Sequence, residues 1–423
     1  MTHMVRVYKP YTPPSELQLK NYQKDGIKFL QSHWEAILSD EMGLGKTVTM
    51  LMAIKGWVDK QNSIPYGKNC LIITPASLQW NWVREIQRWL GEENFKYLFP
   101  GCGYHHIYLD TYDHLGTWLY QQRGQKPMVD LLHIDMVIFD EAHYLKNPKS
   151  KRHTLAKEIS KRCTYIYLLT GTPMSSGPKD LAALLDVMWQ LDSFGGYKTF
   201  YNKYCDPMWN GFGYDYSGAS NQSELHEKLK PYLLRRTKES VGLKLPPKIV
   251  KDICIGEMGP EYASTFAEME DYSRMVNKEK FPLAVEFINN LVENGKRPVI
   301  FVHHKTLLNK FIRKYKNKCV AVYGGQTKEE RQESVDRFQA GEIPIIICSL
   351  MASAVGLTLT SSDTAVFLEY LWSPDVSRQA EDRIHRLSQT KPCTIYNLYF
   401  NRSIEQQKLL TIHAKELRTE GIL

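Results

Sequence analysis

Short apolar runs rich in β-branched residues alternate along this chain with longer segments of helical pattern, and nothing else in the sequence restricts the fold as strongly. The runs are Ala36–Leu38, Leu71–Ile73, Met136–Phe139 and Tyr165–Leu169, then Val299–Val302, Val320–Tyr323, Ile345–Cys348, Thr364–Leu368 and Thr394–Leu398. Strands that are apolar throughout, rather than on every second residue, must be covered on both faces. Alternation with helices supplies the crossovers that a parallel sheet needs. The runs fall into two groups and so predict two α/β domains. Between the groups, Tyr201–Asn221 is crowded with Gly, Tyr, Trp and Asn and reads as an ordered loop. Residues 233–248, LLRRTKESVGLKLPPK, are basic and end in Pro246-Pro247, which no helix runs through. The boundary is placed there, giving domains at 1–240 and 241–423.

The bulk numbers narrow the class. With 43% apolar and 24% charged residues among 423, the chain is globular rather than disordered or fibrous. The net charge of +8 suits a polyanionic partner but is too mild to decide one. The eight cysteines are scattered, without a C-x-x-C pair, as expected of a reduced intracellular protein. A zinc site from Cys102, His105 and His106 would lack a second ligand pair. No signal-peptide pattern and no apolar stretch of the ~20 residues that span a bilayer is present. A soluble, intracellular monomer away from membranes is expected.

Ala36–Thr47, A-I-L-S-D-E-M-G-L-G-K-T, places a short strand before a Gly-containing loop and a helix, TMLMAIKGWV, after it. This is the context of a phosphate-binding loop. Met42, Gly43, Leu44 and Gly45 would turn backbone amides toward phosphate oxygens at a helix N-terminus. Lys46 would reach the β- and γ-phosphates of ATP, and Thr47 would ligate Mg²⁺. The loop departs from G-x-x-x-x-G-K-[ST] by carrying Asp40 where the first Gly belongs. A G-L-G-K-T string also arises by chance in turns. A second element weighs against chance: His133–His143, H-I-D-M-V-I-F-D-E-A-H, is an apolar strand ending in two carboxylates. Asp140 is placed to hold Mg²⁺ and Glu141 to orient the attacking water. Paired acids after a strand often only cap a helix, but both elements together point to ATP hydrolysis.

From D-E-A-H onward the chain resembles superfamily 2 helicase-like ATPases, and within them the SWI/SNF-type family of DNA translocases. The resemblance runs from Tyr22 to about Glu405. It implies two tandem RecA-like domains, each a parallel sheet flanked by helices, with the ATP site in the cleft between lobes. Gln23, after Tyr22, is similar to the glutamine that reads adenine. Thr74-Pro75 and Thr111-Tyr112 resemble lobe 1 contacts to DNA backbone, and Leu169–Pro173, L-T-G-T-P, resembles the segment coupling hydrolysis to lobe movement. Residues 379–389, Q-A-E-D-R-I-H-R-L-S-Q, match Q-A-x-D-R-x-H-R-x-x-Q. By that resemblance Gln379, Arg383 and Arg386 belong to the catalytic set, the arginines reaching the γ-phosphate; such a pair otherwise reads as a solvated helix face. Residues 349–360 resemble an element touching DNA and nucleotide, with Met351 and Ser353-Ala354 in place of Arg and Gly-Gly, and with Gly356 retained for the nucleotide. His304, Lys305, Thr360 and Trp372 complete the expected DNA contacts, Trp372 being equally readable as a core aromatic. YCDPMWNGFGYDYSGASNQSEL and FVHHKTLL resemble the HARP-type annealing helicases. The expected partner is double-stranded or branched DNA, and the expected activity DNA-stimulated ATP hydrolysis with translocation on the duplex, in DNA remodelling, fork processing or repair. An RNA or strand-separating helicase and a decayed, non-catalytic motor are the rivals. The second would have lost some of Lys46, Asp140, Glu141, Arg383 and Arg386, and all are present.

Overall fold

The computed structural model describes residues 18–61, 69–90, 107–120, 126–175, 177–257, 266–353, 357–372, 374–386 and 388–420. The strands are β1 (Glu35–Leu38), β2 (Asn69–Thr74), β3 (Ile107–Thr111), β4 (Ile134–Asp140), β5 (Tyr165–Leu169), β6 (Met208–Trp209), β7 (Tyr214–Asp215), β8 (Leu233–Leu234), β9 (Lys248–Glu257), β10 (Val299–Val302), β11 (Cys319–Val322), β12 (Ile345–Ser349), β13 (Thr364–Phe367) and β14 (Cys393–Asn401). The chain divides into two compact units. One comprises Met1–Pro173, Asp180–Phe200 and Glu227–Arg236; the other comprises Met174–Lys179, Tyr201–His226 and Thr237–Leu423.

Each unit is built on a six-stranded parallel sheet, in the order β3-β2-β4-β5-β1-β8 in the first and β11-β12-β10-β13-β14-β9 in the second. Burial on both sheet faces explains why the strands are apolar throughout. In the first sheet, Ile37, Ile73, Val137, Phe139, Ile166 and Leu168 face one core. Their neighbours Ala36, Leu38, Ile72, Ile138, Tyr167 and Leu169 face another. The second sheet repeats the arrangement, with Val299, Phe301, Ile346 and Cys348 on one side and Ile300, Val302, Ile345 and Ile347 on the other.

All nine predicted strand positions are occupied, with ends shifted by a few residues. Strands β3, β8 and β9 were not foreseen. The segment read as a loop holds the end of a helix, Gly196–Tyr204, and an antiparallel hairpin of β6 with β7. The last described helix spans Ile404–Glu420. Cys102, His105 and His106, weighed for zinc, lie outside the described residues, as does Gly356. No described helix is long and apolar enough to cross a membrane.

One consequence of the register positions the site. Leu169, the last residue of β5, pairs with Leu38 on one side and Asp140 on the other. Three strands therefore end abreast. The turns that follow them, residues 39–45, 141–145 and 170–173, emerge together at the carboxyl edge of the sheet, where open α/β sheets bind ligands.

Candidate active site

The phosphate-loop segment leaves β1 and enters the helix Lys46–Gln61. Gly43 and Gly45 adopt φ of +90° and +82°, the left-handed region in which a side chain is strained. Gly45 is also constrained by space, since a Cβ there would lie 2.6 Å from the Gln23 amide nitrogen. Lys46 Nζ donates to the Asp40 carbonyl at 2.7 Å, spanning the loop. A Cβ on Gly171 would sit 2.8 Å from Met42 Cγ and 3.4 Å from Lys46 Nζ, so the L-T-G-T-P turn abuts the loop and a larger residue there would have to displace the Met42 side chain. Gln23, on the helix Asn21–Ser32, donates through Nε2 to Leu44 O at 3.3 Å and accepts from Lys20 N at 2.9 Å. Its carboxamide braces the loop. Thr47 follows Lys46 in the first helical turn and is partly exposed.

The departure at Asp40 has a structural cause. Asp40 is fully buried, and Arg236 meets it in a two-pronged ion pair, Nε donating to Oδ1 at 2.9 Å and Nη2 to Oδ2. Arg236 also donates to the Tyr22 carbonyl. Arg235 reaches Ser39 O at 3.4 Å and Gly171 O at 3.3 Å. These arginines follow β8, inside the basic segment at which the sequence places the domain boundary. The signal that could have found them is the buried acid itself, which needs a cation once it replaces glycine. Replacing Arg236 with Met strands that carboxylate, which typically costs about 3–5 kcal/mol. The expected result is a lower urea midpoint with an unchanged slope.

Asp140 ends β4, and its carboxylate is locked. Trp82 Nε1 donates to Oδ2 at 2.7 Å, Thr74 Oγ1 donates to the same oxygen at 3.2 Å, and Glu141 N donates to Oδ1 at 3.0 Å. Burial and the adjacent Glu141 charge raise its pKa to about 6, with the Trp82 hydrogen bond and Lys46 acting in the opposite direction. A cation beside it would restore the ionised form. Glu141 has φ 52° and ψ 50°, left-handed for a non-glycine. Such strain, of roughly 1–3 kcal/mol, is held at functional sites by surrounding bonds. Here Tyr112 contributes by donating from its hydroxyl to Asp140 O at 2.8 Å. Glu141 Oε2 lies 3.2 Å from His143 Nδ1.

The donor set fits a nucleotide and its metal. Among the described residues no group of three or more His, Cys, Asp and Glu could hold an ion. One fixed carboxylate and a threonine hydroxyl suit magnesium, which keeps several waters and takes phosphate oxygens.

In the second unit, the helix Pro374–Glu381 carries the buried Gln379 and leads into the turn with both arginines. Arg383 is 3% exposed and Arg386 is partly exposed, so Arg383 at least is not part of a solvated helix face. Its carbonyl accepts from Leu359 N at 2.8 Å. Arg386 Nη1 donates to Thr358 Oγ1 at 2.7 Å and Leu357 O at 3.4 Å. Burial lowers its pKa, opposed by the nearby Asp382. Gln389 Nε2 ties the turn to Ser362 O at 2.8 Å.

The expected DNA contacts divide. Thr74, Thr111 and Tyr112 are buried, and Thr74 and Tyr112 bond to Asp140. His304 is likewise engaged, its ring nitrogen and backbone amide both bound to Glu369. Burial opposes ionisation of Glu369, but the bonds from His304 and His303 outweigh it and hold the carboxyl down to about 2. Trp372 packs against Val276, Phe400 and Ile404, which favours the core reading. Lys305 is exposed, and Pro75 and Thr360 are partly exposed, so these three remain available at the surface. Trp82, Arg235, Arg236 and Glu369 were missed, because each acts through a partner distant in sequence.

The SNF2-related domain matches residues 22–281, more than half of the chain. The chain belongs to this family. The helicase conserved C-terminal domain matches residues 279–388. The chain is 30% identical over 413 residues to a SWI/SNF-related matrix-associated actin-dependent regulator of chromatin subfamily A-like protein 1 from Xenopus tropicalis, covering 90% of this chain and 42% of that protein. It is 28% identical over 432 residues to the human DNA annealing helicase and endonuclease ZRANB3, covering 93% of this chain and 39% of that protein. The chain thus spans about two fifths of the length of these SNF2-related relatives.

Proposed function

We propose that this SNF2-related chain is a DNA-stimulated ATP hydrolase that translocates on double-stranded DNA, serving remodelling, fork processing or repair. The observation that carries the reading is the set of three strand ends abreast, which gathers Lys46, Asp140 and Glu141 at one sheet edge. The loop amides and Lys46 bind the triphosphate of ATP. Asp140 and Thr47 would hold Mg²⁺, which would supply neutralising charge to the phosphates. Glu141 orients and polarises the attacking water. Gln379, Arg383 and Arg386 complete the set when the lobes close, the guanidinium groups stabilising charge on the equatorial phosphate oxygens. Exposed Lys305, with Pro75 and Thr360, is assigned to the DNA backbone, whose recognition is charge-driven and indifferent to sequence.

The similarity to a chromatin regulator and a DNA annealing helicase supports duplex or branched DNA as the partner. The test is steady-state ATP hydrolysis with duplex DNA, single-stranded DNA, forked DNA or RNA added in parallel. Duplex or forked DNA is expected to stimulate most. Stimulation by RNA alone would remove the DNA assignment, and turnover indifferent to nucleic acid would remove translocation.

A further inference from the structure

The basic segment 233–248, at which the sequence places the domain boundary, grips the arginine turn at three points. Lys238 Nζ donates to Asp382 Oδ1 at 2.8 Å, Lys248 Nζ to Glu381 Oε2 at 2.6 Å, and the His385 ring through Nε2 to Pro246 O at 2.8 Å. The first contact is the most enclosed, with side-chain exposures of 8% for Lys238 and 17% for Asp382. Enclosed ion pairs of this kind add little stability over apolar packing, so their presence calls for another explanation.

Asp382 stands four residues before Arg386 in the turn that follows the helix Pro374–Glu381, close enough for its charge to act on that guanidinium. The turn keeps helix-like bonding there, His385 N donating to Glu381 O at 3.0 Å and Asp382 N to Arg378 O at 3.0 Å. Yet Asp382 is bonded to Lys238, and Arg386 to Thr358 and Leu357. Two carboxylates, Glu381 and Asp382, immediately precede Arg383, and each is met by a lysine from the same segment.

We propose that Lys238 is a positioning residue: it draws the Asp382 carboxylate away from Arg386 and so keeps that guanidinium available for phosphate. The inference rests on the assignment of Arg386 to the γ-phosphate. Without the lysine, Asp382 is left to the other cations beside it, Lys248 and Arg386, and Arg386 becomes half of a local ion pair. The hydrolytic step then loses a charge that ATP binding by the first unit does not need, so kcat falls while KM for ATP holds.

The experiment uses the full chain with saturating duplex DNA. Lys238→Met is expected to lower kcat on the order of 10- to 100-fold, the penalty for a misplaced catalytic group. KM for ATP should stay within about threefold, since uniform nucleotide binding is untouched. Removing the competing carboxylate, in Lys238→Met/Asp382→Asn, is expected to recover kcat by about tenfold or more over the single variant, a coupling that separate structural losses would not produce. Lys238→Gln, which keeps a neutral donor, carries the same expectation if the methionine variant does not fold. Undiminished kcat in both single variants, or a double variant no faster than its parent, overturns the proposal. Failure of the underlying assignment is separable: Arg386→Ala would then hydrolyse ATP like the wild type, whereas failure of the inference alone leaves Arg386→Ala inactive and Lys238→Met active.

Discussion

Arg386→Ala is expected to reduce DNA-stimulated ATP turnover by roughly 10³-fold or more, the range known for arginine fingers in nucleotide hydrolases. Phosphoryl transfer spreads negative charge over three equatorial oxygens, and the protein contributes mainly by placing positive charge there. Arg386 is suited to this because its guanidinium is already partly desolvated and oriented by Thr358 Oγ1, at 2.7 Å, so little reorganisation accompanies the reaction. Lysine at the position should recover little, because a point charge cannot offer two parallel N–H donors. Duplex DNA affinity, measured by fluorescence anisotropy, should be largely retained, since this side chain bonds to its own unit. Turnover like the wild type would show that the charge comes from elsewhere, and loss of DNA affinity in step with turnover would show that the turn serves the duplex.

Lys46→Ala is the second large effect, expected to lower turnover by at least ~10²–10³-fold, the loss seen when a single preorganised donor is removed from a reacting centre. Lys46 sits at the helix N-terminus and spans the loop to the Asp40 carbonyl at 2.7 Å. Its removal therefore takes away both a phosphate contact and a bond closing the loop. Unlike Arg386→Ala, this variant should also weaken ATP binding, because Lys46 meets the triphosphate in the ground state as well as in the transition state. A competition assay with labelled nucleotide separates the two. Weakened binding belongs to Lys46, and near-normal binding with lost turnover belongs to Arg386. The converse pattern would reverse the roles assigned to the two residues.

Much of this could be read from the linear chain. Strands buried on both faces have a continuous apolar signature, so β1, β2, β4, β5 and β10 to β14 were legible. Within the two parallel sheets, the three that were not, β3, β8 and β9, lie at sheet edges. An edge strand is covered less completely and can carry charge. Lys248–Glu257 is mostly exposed, and Leu233–Leu234 is too short to show a period. The candidate ATP-site residues stand out in the sequence because their spacing is local: glycines, lysine and threonine within one loop, and two acids after one strand. The expected DNA contacts were the least legible part of the candidate site. Thr74, Thr111 and Tyr112 occur at strand ends, and the sequence does not reveal whether such a side chain turns outward or into the core.

The sequence by itself determined the two parallel sheets, the phosphate loop and the acid pair, since periodicity and short-range spacing are properties of neighbouring residues. Tertiary structure alone decided what neutralises Asp40, what holds Asp140, and where the basic segment 233–248 goes. A buried charge must find its partner wherever the chain returns to it. For Asp40 that partner is Arg236, 196 residues away, and for Asp140 it is Trp82, 58 residues away. Only folding brings such pairs within bonding distance.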